Sequence, residues 1–338
     1  MVQTAVRSSK AVTTNLTPLQ EYLDDDNVIE IRINRFHELV LETRQGRVIQ
    51  PCDNITEFYV EKLLSSLLAY NGLPREPINN VLLPDGSRGV FCLPPAALHG
   101  TVLVAIRKHL PISLSLEDLQ QQGRFAKTST VKLGEETELL DYEKELMALH
   151  ERGEYVEFLR KAVKHKRNIA IAGATGSGKS TFTRSLINEI PRTERLIVLE
   201  DVHEPVAEDA QDEIGYLMYG QKGQKGRITP SEGIKACMRL SPDRIILTEL
   251  RDDAAWDYLA ASNTGHSGSI FSVHASSATE TPARIAQLVK ASAVGCMLDY
   301  DLIMQTIHTT LDVIVYMERY NIVEILYDPV FKKKRMLD

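Results

Sequence analysis

The amino-acid sequence predicts an α/β protein in two parts. The carboxy-terminal part should contain a largely parallel sheet, because after residue 168 short apolar segments alternate with helical patterns. The amino-terminal part should be an α+β domain with an antiparallel sheet, because apolar and charged residues alternate there along short segments. A chain of 338 residues is long enough for two domains that each have a core.

The domain boundaries follow changes in composition along the chain. We expect residues 1–15 to be disordered or frayed, residues 16–110 to form the α+β domain and residues 155–338 to form the α/β domain. Residues 111–154 are predicted to be a linker region, because periodicity weakens there and Gln, Gly, Ser and Thr become frequent. One helix is still expected within that linker, near residues 139–150.

The first domain has clear strand and helix signals. Ile29, Ile31 and Ile33 alternate with charged residues and predict a half-buried strand, on which residues 39–41 are expected to pair back. Asn54 and Glu57 offer a capping box for the helix that follows. Five apolar residues then recur at helical spacing: Val60, Leu63, Leu64, Leu67 and Leu68. Asn71 and Gly72 end this helix, and residues 102–106 predict another strand.

Residues 173–180 read Gly-Ala-Thr-Gly-Ser-Gly-Lys-Ser, which is a complete phosphate-binding loop. An apolar strand precedes the loop and a helix follows it, so backbone N–H groups and the positive end of the helix surround an anion. Lys179 should contact the outer phosphates and take part in catalysis, while the Ser180 hydroxyl should hold Mg²⁺. The sequence therefore predicts binding of a nucleoside triphosphate. The predicted contacts in the loop are Gly173, Ala174, Thr175, Gly176, Ser177, Gly178, Lys179, Ser180 and Thr181.

Three further apolar strands each end in an acidic residue or a histidine. The strands near residues 196–199, 244–247 and 269–273 are followed by Glu200 and Asp201, by Glu249, and by His274. In open α/β sheets ligands bind at the carboxyl ends of the strands, so these side chains should gather around the phosphate loop.

The chemistry of phosphoryl transfer assigns a role to each of them. Glu249 is the predicted acid of the metal site. Glu200, on a strand that we expect beside the phosphate-loop strand, is predicted to polarise the attacking water. Ser180, Glu249, Glu200 and Asp201 are the predicted Mg²⁺ ligands. His274 is expected to donate a hydrogen bond to the γ-phosphate.

Composition excludes several classes of protein. The apolar content of 43% and the charged content of 25% are those of a soluble globular protein. The net charge of −7 argues against direct, sequence-specific nucleic-acid binding, which needs a basic face. The four cysteines form no C-x-x-C pair, which favours reduced thiols over disulfides or a zinc site. Because no apolar segment approaches eighteen residues, any membrane contact should be peripheral. We interpret the basic residues 332–335 as a solvated tail, with an anchor on anionic lipid as the alternative.

Four sequence boxes resemble those of the secretion (traffic) ATPases. They are the Walker A box at residues 173–181, the aspartate box Leu-Glu-Asp-Val-His-Glu at 199–204, the Walker B box at 239–251 and the histidine box at 264–275. Their order and spacing match over residues 155–290. The amino-terminal half is also similar to that family at residues 85–88 and 105–107. Among the branches, the type IV secretion ATPase of the VirB-eleven type is the most similar.

This resemblance implies a RecA-like fold for residues 155–338 and an ATPase that uses ATP and Mg²⁺. It also implies a homo-hexameric ring with the nucleotide between the two domains, in which Arg88 and Arg107 face the nucleotide. Such a ring would lie in the cytoplasm at the bacterial inner membrane, peripheral to it, and would bind secretion-system components that include other ATPases. Two residues depart from the family pattern: Thr248 stands where glycine is usual, and Ser241 stands where arginine is frequent.

Three functions remain open at this point. The first is an ATPase that powers a type IV secretion or conjugation system. The second is the same engine in type II secretion or in pilus assembly or retraction, although many of those relatives carry a four-cysteine zinc insert that this chain lacks. The third is a nucleotide-gated assembly scaffold with little hydrolysis.

Overall fold

The computed structural model describes residues 9–109, 114–129, 138–204, 211–220, 227–263 and 265–337. The amino-terminal part is an antiparallel sheet covered by two helices. Its elements are α1 (Ser9–Asp24), β1 (Val28–Ile33), β2 (Glu38–Thr43), β3 (Gly46–Pro51), α2 (Glu57–Asn71), β4 (Ile78–Leu82), β5 (Arg88–Cys92) and β6 (Leu103–Arg107). The strands follow the order β3-β2-β1-β6-β5-β4, which we call sheet A.

The core of this domain lies between sheet A and the helices α1 and α2. The predicted pairing of β1 with β2 is confirmed, with Ile31 opposite Leu41. All five apolar residues of the predicted helical stripe are buried in α2, which ends at Gly72 in the left-handed conformation. The helix begins two residues later than predicted, because Thr56 and not Asn54 is the N-cap and accepts from the Tyr59 N–H.

The chain is helical earlier than the sequence indicated. Residues 9–15, expected to be frayed, form the first turns of α1, and Val12 is buried against α2 and sheet A. Residues 1–8, which belong to the same expectation, lie outside the described residues. The apolar face of α1 contributes to the core, which explains why the helix extends through these residues.

The predicted linker is partly structured. It contains the short helix α3 (Leu116–Gln121) and the helix α4 (Asp141–Glu151), while residues 110–113 and 130–137, with Glu135 and Glu136, lie outside the described part. Leu146 and Leu149 of α4 pack into the core of the second domain. The second domain therefore begins at α4, earlier than the predicted residue 155.

The carboxy-terminal part is a mostly parallel sheet with helices on both faces. Its elements are α5 (Tyr155–Lys164), β7 (Ile169–Gly173), α6 (Lys179–Ile187), β8 (Leu196–Glu200), β9 (Ile214–Met218), α7 (Pro230–Cys237), β10 (Arg244–Leu247), α8 (Asp252–Asn263), β11 (Ile270–Val273), α9 (Thr281–Ala291), a 3₁₀ turn (Gly295–Met297), α10 (Tyr300–Thr310), β12 (Val313–Glu318), β13 (Asn321–Leu326) and α11 (Pro329–Leu337). The strand order is β13-β12-β7-β11-β10-β8-β9, which we call sheet B. Among the described strands of this sheet, β12 and β13 pair antiparallel and the other neighbours pair parallel.

The strand order corrects one expectation. We expected the strand that carries Glu200 to lie beside the phosphate-loop strand, but β11 and β10 separate β8 from β7. The neighbours of β7 are β11 on one side and β12 on the other. The pattern of apolar strands predicts that they are buried and parallel, yet it contains nothing that specifies their order across the sheet.

The carboxy-terminal basic residues are not a fully solvated tail. Lys332 pairs with Asp312 at 2.7 Å, and Lys333 pairs with Glu143 of α4 at 3.1 Å. The helix α11 thereby connects α4 with the segment that leads into β12. Among the described residues no helix is both long enough and apolar enough to cross a bilayer.

The two domains share an apolar contact. The side chain of Leu103 in β6 packs over Gly215 of β9, where an added Cβ would lie 3.2 Å from Leu103 Cδ1. The Met218 N–H donates to the Ala96 carbonyl oxygen at 2.7 Å. The face of sheet A that points away from α1 and α2 is therefore covered by the edge of sheet B.

A buried charge cluster continues this contact. Glu213, just before β9, accepts from Arg32 of β1 at 3.0 Å and pairs with Arg195, just before β8, at 3.1 Å. Asn34 donates to the same carboxylate at 3.0 Å. Arg195 and Glu213 have fully buried side chains, and burial lowers the pKa of Arg195 to about 10 although Glu213 acts in the opposite direction. Ions buried this deeply are tolerated only when they are paired, so the cluster permits one orientation of the two domains.

We expect Glu213→Gln to destabilise the protein by about 3–5 kcal/mol, because it leaves the fully buried Arg195 guanidinium without its paired carboxylate. Arg32 still pairs with Glu30 and Glu42 in this variant. The control is Glu61→Gln, which breaks an exposed pair with Arg75 and should cost about 1 kcal/mol or less. Urea unfolding of the three proteins measures both effects. Equal unfolding midpoints for the two variants would contradict the role of the cluster.

Candidate active site

The phosphate loop lies between the end of β7 and the start of α6. Gly173, Gly176 and Gly178 have φ values of 151°, 74° and 96°, which side chains rarely adopt. A Cβ at Gly173 would collide with the carbonyl oxygen of Met317 in β12. The loop is therefore packed directly against the neighbouring strand. Ser177 Oγ in the loop is buried and has no hydrogen-bond partner in the described part of the chain.

Lys179 is folded back into its own loop. Its ammonium donates to the carbonyl oxygens of Gly173 and Ala174, both at 2.8 Å, and the residue is 8% exposed. Burial lowers the pKa of Lys179, while the charge of Glu249 raises it. A cation in this environment gains from an anionic ligand, because the phosphate would replace weak carbonyl acceptors with full negative charge.

A cavity of about 380 Å³ opens at this loop, a size typical of small-molecule sites. It brings together most of the predicted residues, together with others that were not predicted. The cavity is lined by Thr175, Gly176, Ser177, Gly178, Lys179, Ser180, Thr181, Asp201, Val202, Glu204, Thr248, Glu249, Ser272, His274 and Tyr320. Gly173 and Ala174 lie behind it as acceptors of Lys179.

One arginine donates hydrogen bonds to both carboxylates on the acidic side of the cavity. Arg251 donates to Asp201 at 3.0 Å and to Glu249 at 3.1 Å, so a single guanidinium bridges both carboxylates. His274 Nε2 lies 3.4 Å from the other oxygen of Glu249. Asp201, Glu249 and His274 follow β8, β10 and β11, whose parallel register brings their carboxyl ends to one edge as predicted.

Glu200 does not line the cavity. It is fully buried, and His203 Nδ1 lies 2.6 Å from its carboxylate. Burial raises the pKa of Glu200 to about 7, although the hydrogen bond and charge of His203 act in the opposite direction. Glu204 lines the cavity in its place and pairs with Arg184 at 3.3 Å. This arrangement does not support direct contact of Glu200 with metal or water.

Arg88 and Arg107 are separated from the phosphate loop of their own chain. Both line a second cavity of about 480 Å³ together with Arg239. Arg107 donates to Ser241 Oγ at 2.6 Å, just before β10 begins. The phosphate loop follows the carboxyl end of a strand parallel to β10, so the arginines lie at the opposite edge of sheet B. Neither arginine lines the phosphate-loop cavity of its own chain, and that they face the nucleotide in a ring stays a prediction.

Comparison with known proteins identifies the family. The profile of the family described as "Type II/IV secretion system protein" matches residues 132–319, more than half of the chain. This range contains the phosphate loop and all the acids of the cavity. The chain belongs to this family. Its members include ATPases, and ATP hydrolysis is the activity that the family assigns to the site described above.

The similarity to type IV secretion proteins covers almost the whole chain. The type IV secretion system protein VirB11 of Brucella suis is 33% identical over 98% of this chain and 94% of that protein. VirB11 of Bartonella henselae is 35% identical over 96% of this chain and 95% of that protein. The crystal structure of the Brucella suis VirB11 ATPase with sulphate superposes with a TM-score of 0.90, over 98% of both chains at 33% identity. The similarity confirms the predicted family and its fold, including the amino-terminal domain.

Several cavity residues of this secretion ATPase were not predicted. Thr248 directly follows β10 and Ser272 lies in β11, and Ser272 Oγ donates to the Thr248 carbonyl oxygen. Arg251 lies two residues after Glu249, a spacing that could have suggested a partner for the acid. Tyr320 lies one residue beyond the region matched by the family profile, and no sequence signal connects it with the loop.

The residues of the cavity fit ATP and Mg²⁺. The orphan hydroxyl of Ser177, the loop N–H groups and Lys179 offer donors to phosphate oxygens. Ser180 and Glu249 line the same cavity, and Mg²⁺ at nucleotide sites takes only one or two protein ligands beside phosphate and water.

The raised pKa of Glu200 predicts a pH-dependent stability. Its stabilising contribution is complete below the ordinary carboxyl pKa and is lost as the pH rises through about 7. Glu200→Gln removes this titration. The free energy of unfolding of the variant, relative to that of the parent, should therefore rise by about 2–4 kcal/mol from pH 5 to pH 8. Thermal unfolding at both pH values measures the gain. Glu204→Gln, at a half-exposed position, is the control, and the same response in both variants would show that burial of Glu200 is not the cause.

Proposed function

We propose that this protein is a hexameric ATPase that hydrolyses ATP with Mg²⁺ to power a bacterial type IV secretion or conjugation system. The observation that carries this proposal is the cavity at the phosphate loop, where Lys179, Ser180, Asp201, Glu249 and His274 surround one space. A phosphate loop alone would support binding, whereas the acids and the histidine opposite it supply the groups that hydrolysis needs.

ATP binding begins with Lys179. Its ammonium leaves the carbonyl oxygens of Gly173 and Ala174 and contacts the β and γ phosphates, while the loop N–H groups take the remaining oxygens. Bound Mg²⁺ supplies positive charge between these phosphates. Ser180 and Glu249 are the side chains that would hold the ion. Asp201, which shares Arg251 with Glu249 and lines the same cavity, would support the water shell of the ion.

Arg251 controls the charge of the acidic side. Its single positive charge pairs with both Asp201 and Glu249, and this reduces the repulsion between the two carboxylates. A bound cation would compete with this guanidinium for the Glu249 carboxylate. His274, 3.4 Å from the same carboxylate, is the side chain that would donate to the γ-phosphate.

A side chain that orients the attacking water must line the cavity. Glu249 and Glu204 line the cavity, whereas Glu200 is covered and hydrogen-bonded to His203. We assign the orientation of the attacking water to Glu249 and Glu204, and we give Glu200 a positioning role. The buried carboxylate holds the turn after β8 through His203 and, at 3.4 Å, through the Glu204 N–H.

The ring explains the position of the amino-terminal arginines. A head-to-tail ring places one face of each copy against a different face of the next. Arg88 and Arg107, which with Arg239 make a strongly basic cavity away from their own loop, would then act on phosphate held by the neighbouring copy. Guanidinium groups suit this role because they pair bidentately with phosphate oxygens.

The proposed system and location follow from the relatives. The relatives at 33–35% identity are type IV secretion proteins, and the matches extend over nearly all of both chains. We therefore favour type IV secretion over type II secretion or pilus assembly. The proposed location is the cytoplasmic face of the inner membrane, with other secretion components as partners.

Binding and hydrolysis should separate by mutation. Lys179→Ala should lose ATP binding and hydrolysis together, because it removes the charge on the outer phosphates. Glu249→Gln should keep ATP binding and lose hydrolysis. ATP titration calorimetry and phosphate release measure the two properties on folded variants. Hydrolysis by Glu249→Gln at the parental rate would remove Glu249 from the mechanism.

Arginines that act on a neighbour's nucleotide allow complementation. Lys179→Ala and Arg107→Ala should each be inactive alone, because each lacks one half of every site. Mixed rings should regain on the order of a quarter of the parental activity, since random assembly joins the two intact halves at about that share of interfaces. Phosphate release, with light scattering for ring size, is the measurement. No recovery in rings of proven mixed composition would contradict the assignment of Arg107.

A further inference from the structure

Tyr320 is an aromatic residue whose position the fold does not explain. It is 79% exposed, yet it lines the cavity at the phosphate loop. A large aromatic side chain that remains in water contributes little to the core. Its location beside a nucleotide site therefore points to a ligand.

The turn that carries Tyr320 is strained. Arg319 and Tyr320 join β12 to β13, and their φ values are 47° and 68°. Two-residue hairpin turns with positive φ at both positions strongly prefer Asn-Gly, because larger side chains are disfavoured there. Strain of this kind persists where the surroundings impose it, and it concentrates at ligand sites.

Three contacts attach this turn to the loop. The Tyr320 N–H donates to the Ser177 carbonyl oxygen at 3.0 Å. A Cβ added to Gly178 would lie 3.1 Å from Tyr320 Cδ1, so the ring lies over the start of α6. The Met317 carbonyl oxygen occupies the space next to Gly173. The position of the ring relative to the loop is thus set by backbone contacts.

The sheet gives the cavity two unlike sides. Asp201, Glu249 and His274 follow strands on the β11 side of β7. Tyr320 follows β12, on the other side of β7. Mg²⁺ and the γ-phosphate belong with the acids, so a nucleotide that crosses the loop must extend its nucleoside end toward Tyr320.

We propose that Tyr320 stacks on the base of the bound nucleotide and positions it over the phosphate loop. This proposal rests on the ATP binding proposed above and adds the group that recognises the nucleoside. Bases stack well on aromatic rings, and stacking needs no hydrogen-bonding edge. The contact should therefore act on ATP and ADP alike and be absent for a ligand without a base.

The test compares MgATP with magnesium tripolyphosphate by titration calorimetry. Tyr320→Asn removes the ring and keeps a residue that tolerates positive φ. It should weaken MgATP binding by about five- to a hundredfold, the range for loss of a base–aromatic stack. Binding of tripolyphosphate should stay within about twofold, a difference well below one tenfold step in affinity. Tyr320→Phe should bind MgATP like the parent, because the stacking ring remains.

The controls separate this proposal from the proposed function. Lys179→Ala should weaken both ligands, since it acts on the phosphates. Tyr300→Ala, at an exposed tyrosine on α10, should change neither. Equal weakening of both ligands by Tyr320→Asn, or no weakening of MgATP, would overturn the stacking role. A parent protein that binds MgATP no more tightly than tripolyphosphate would overturn it as well, while one that binds neither would overturn the ATP site itself.

Discussion

The arrangement of the two domains depends on the buried carboxylate of Glu213. It lies among Arg32, Arg195 and Asn34, and neither Glu213 nor Arg195 has an exposed side chain. Burying such ions is costly unless every partner is in place, so domain orientations that separate them are disfavoured. Because Arg195 and Glu213 precede β8 and β9, this constraint attaches the amino-terminal domain near the amino-terminal edge of sheet B.

This attachment leaves the opposite edge of sheet B for the nucleotide. The cavity at the phosphate loop is lined only by residues that follow β7 in the chain. The basic cavity with Arg88 and Arg107 lies beside the start of β10 instead. A single chain therefore carries the phosphate-loop cavity and the basic cavity at different edges of sheet B, an arrangement that agrees with the proposed head-to-tail ring.

The structure brings predicted site residues together where their place depends on local sequence, and separates them where it depends on burial or on domain docking. The loop, Asp201, Glu249 and His274 lie together because parallel strands deliver their carboxyl ends to one edge. Glu200 ends such a strand too, but its side chain turns into the interior, where His203 holds it. A one-residue difference along a strand reverses the face that a side chain occupies, and the pattern of apolar residues does not reveal which face is covered.

The sequence by itself determined the phosphate loop, the family, the helix α2 with its buried stripe, and the two classes of sheet. Periodicities of 2 and 3.6 residues and the glycine spacing are local, so they can be recognised without a fold. Only the tertiary structure decided the strand order of sheet B, the domain orientation and the place of Tyr320. Arg32 and Glu213 are 181 residues apart in the chain. Contacts between residues so distant depend on the packing of whole elements, and no local pattern encodes them.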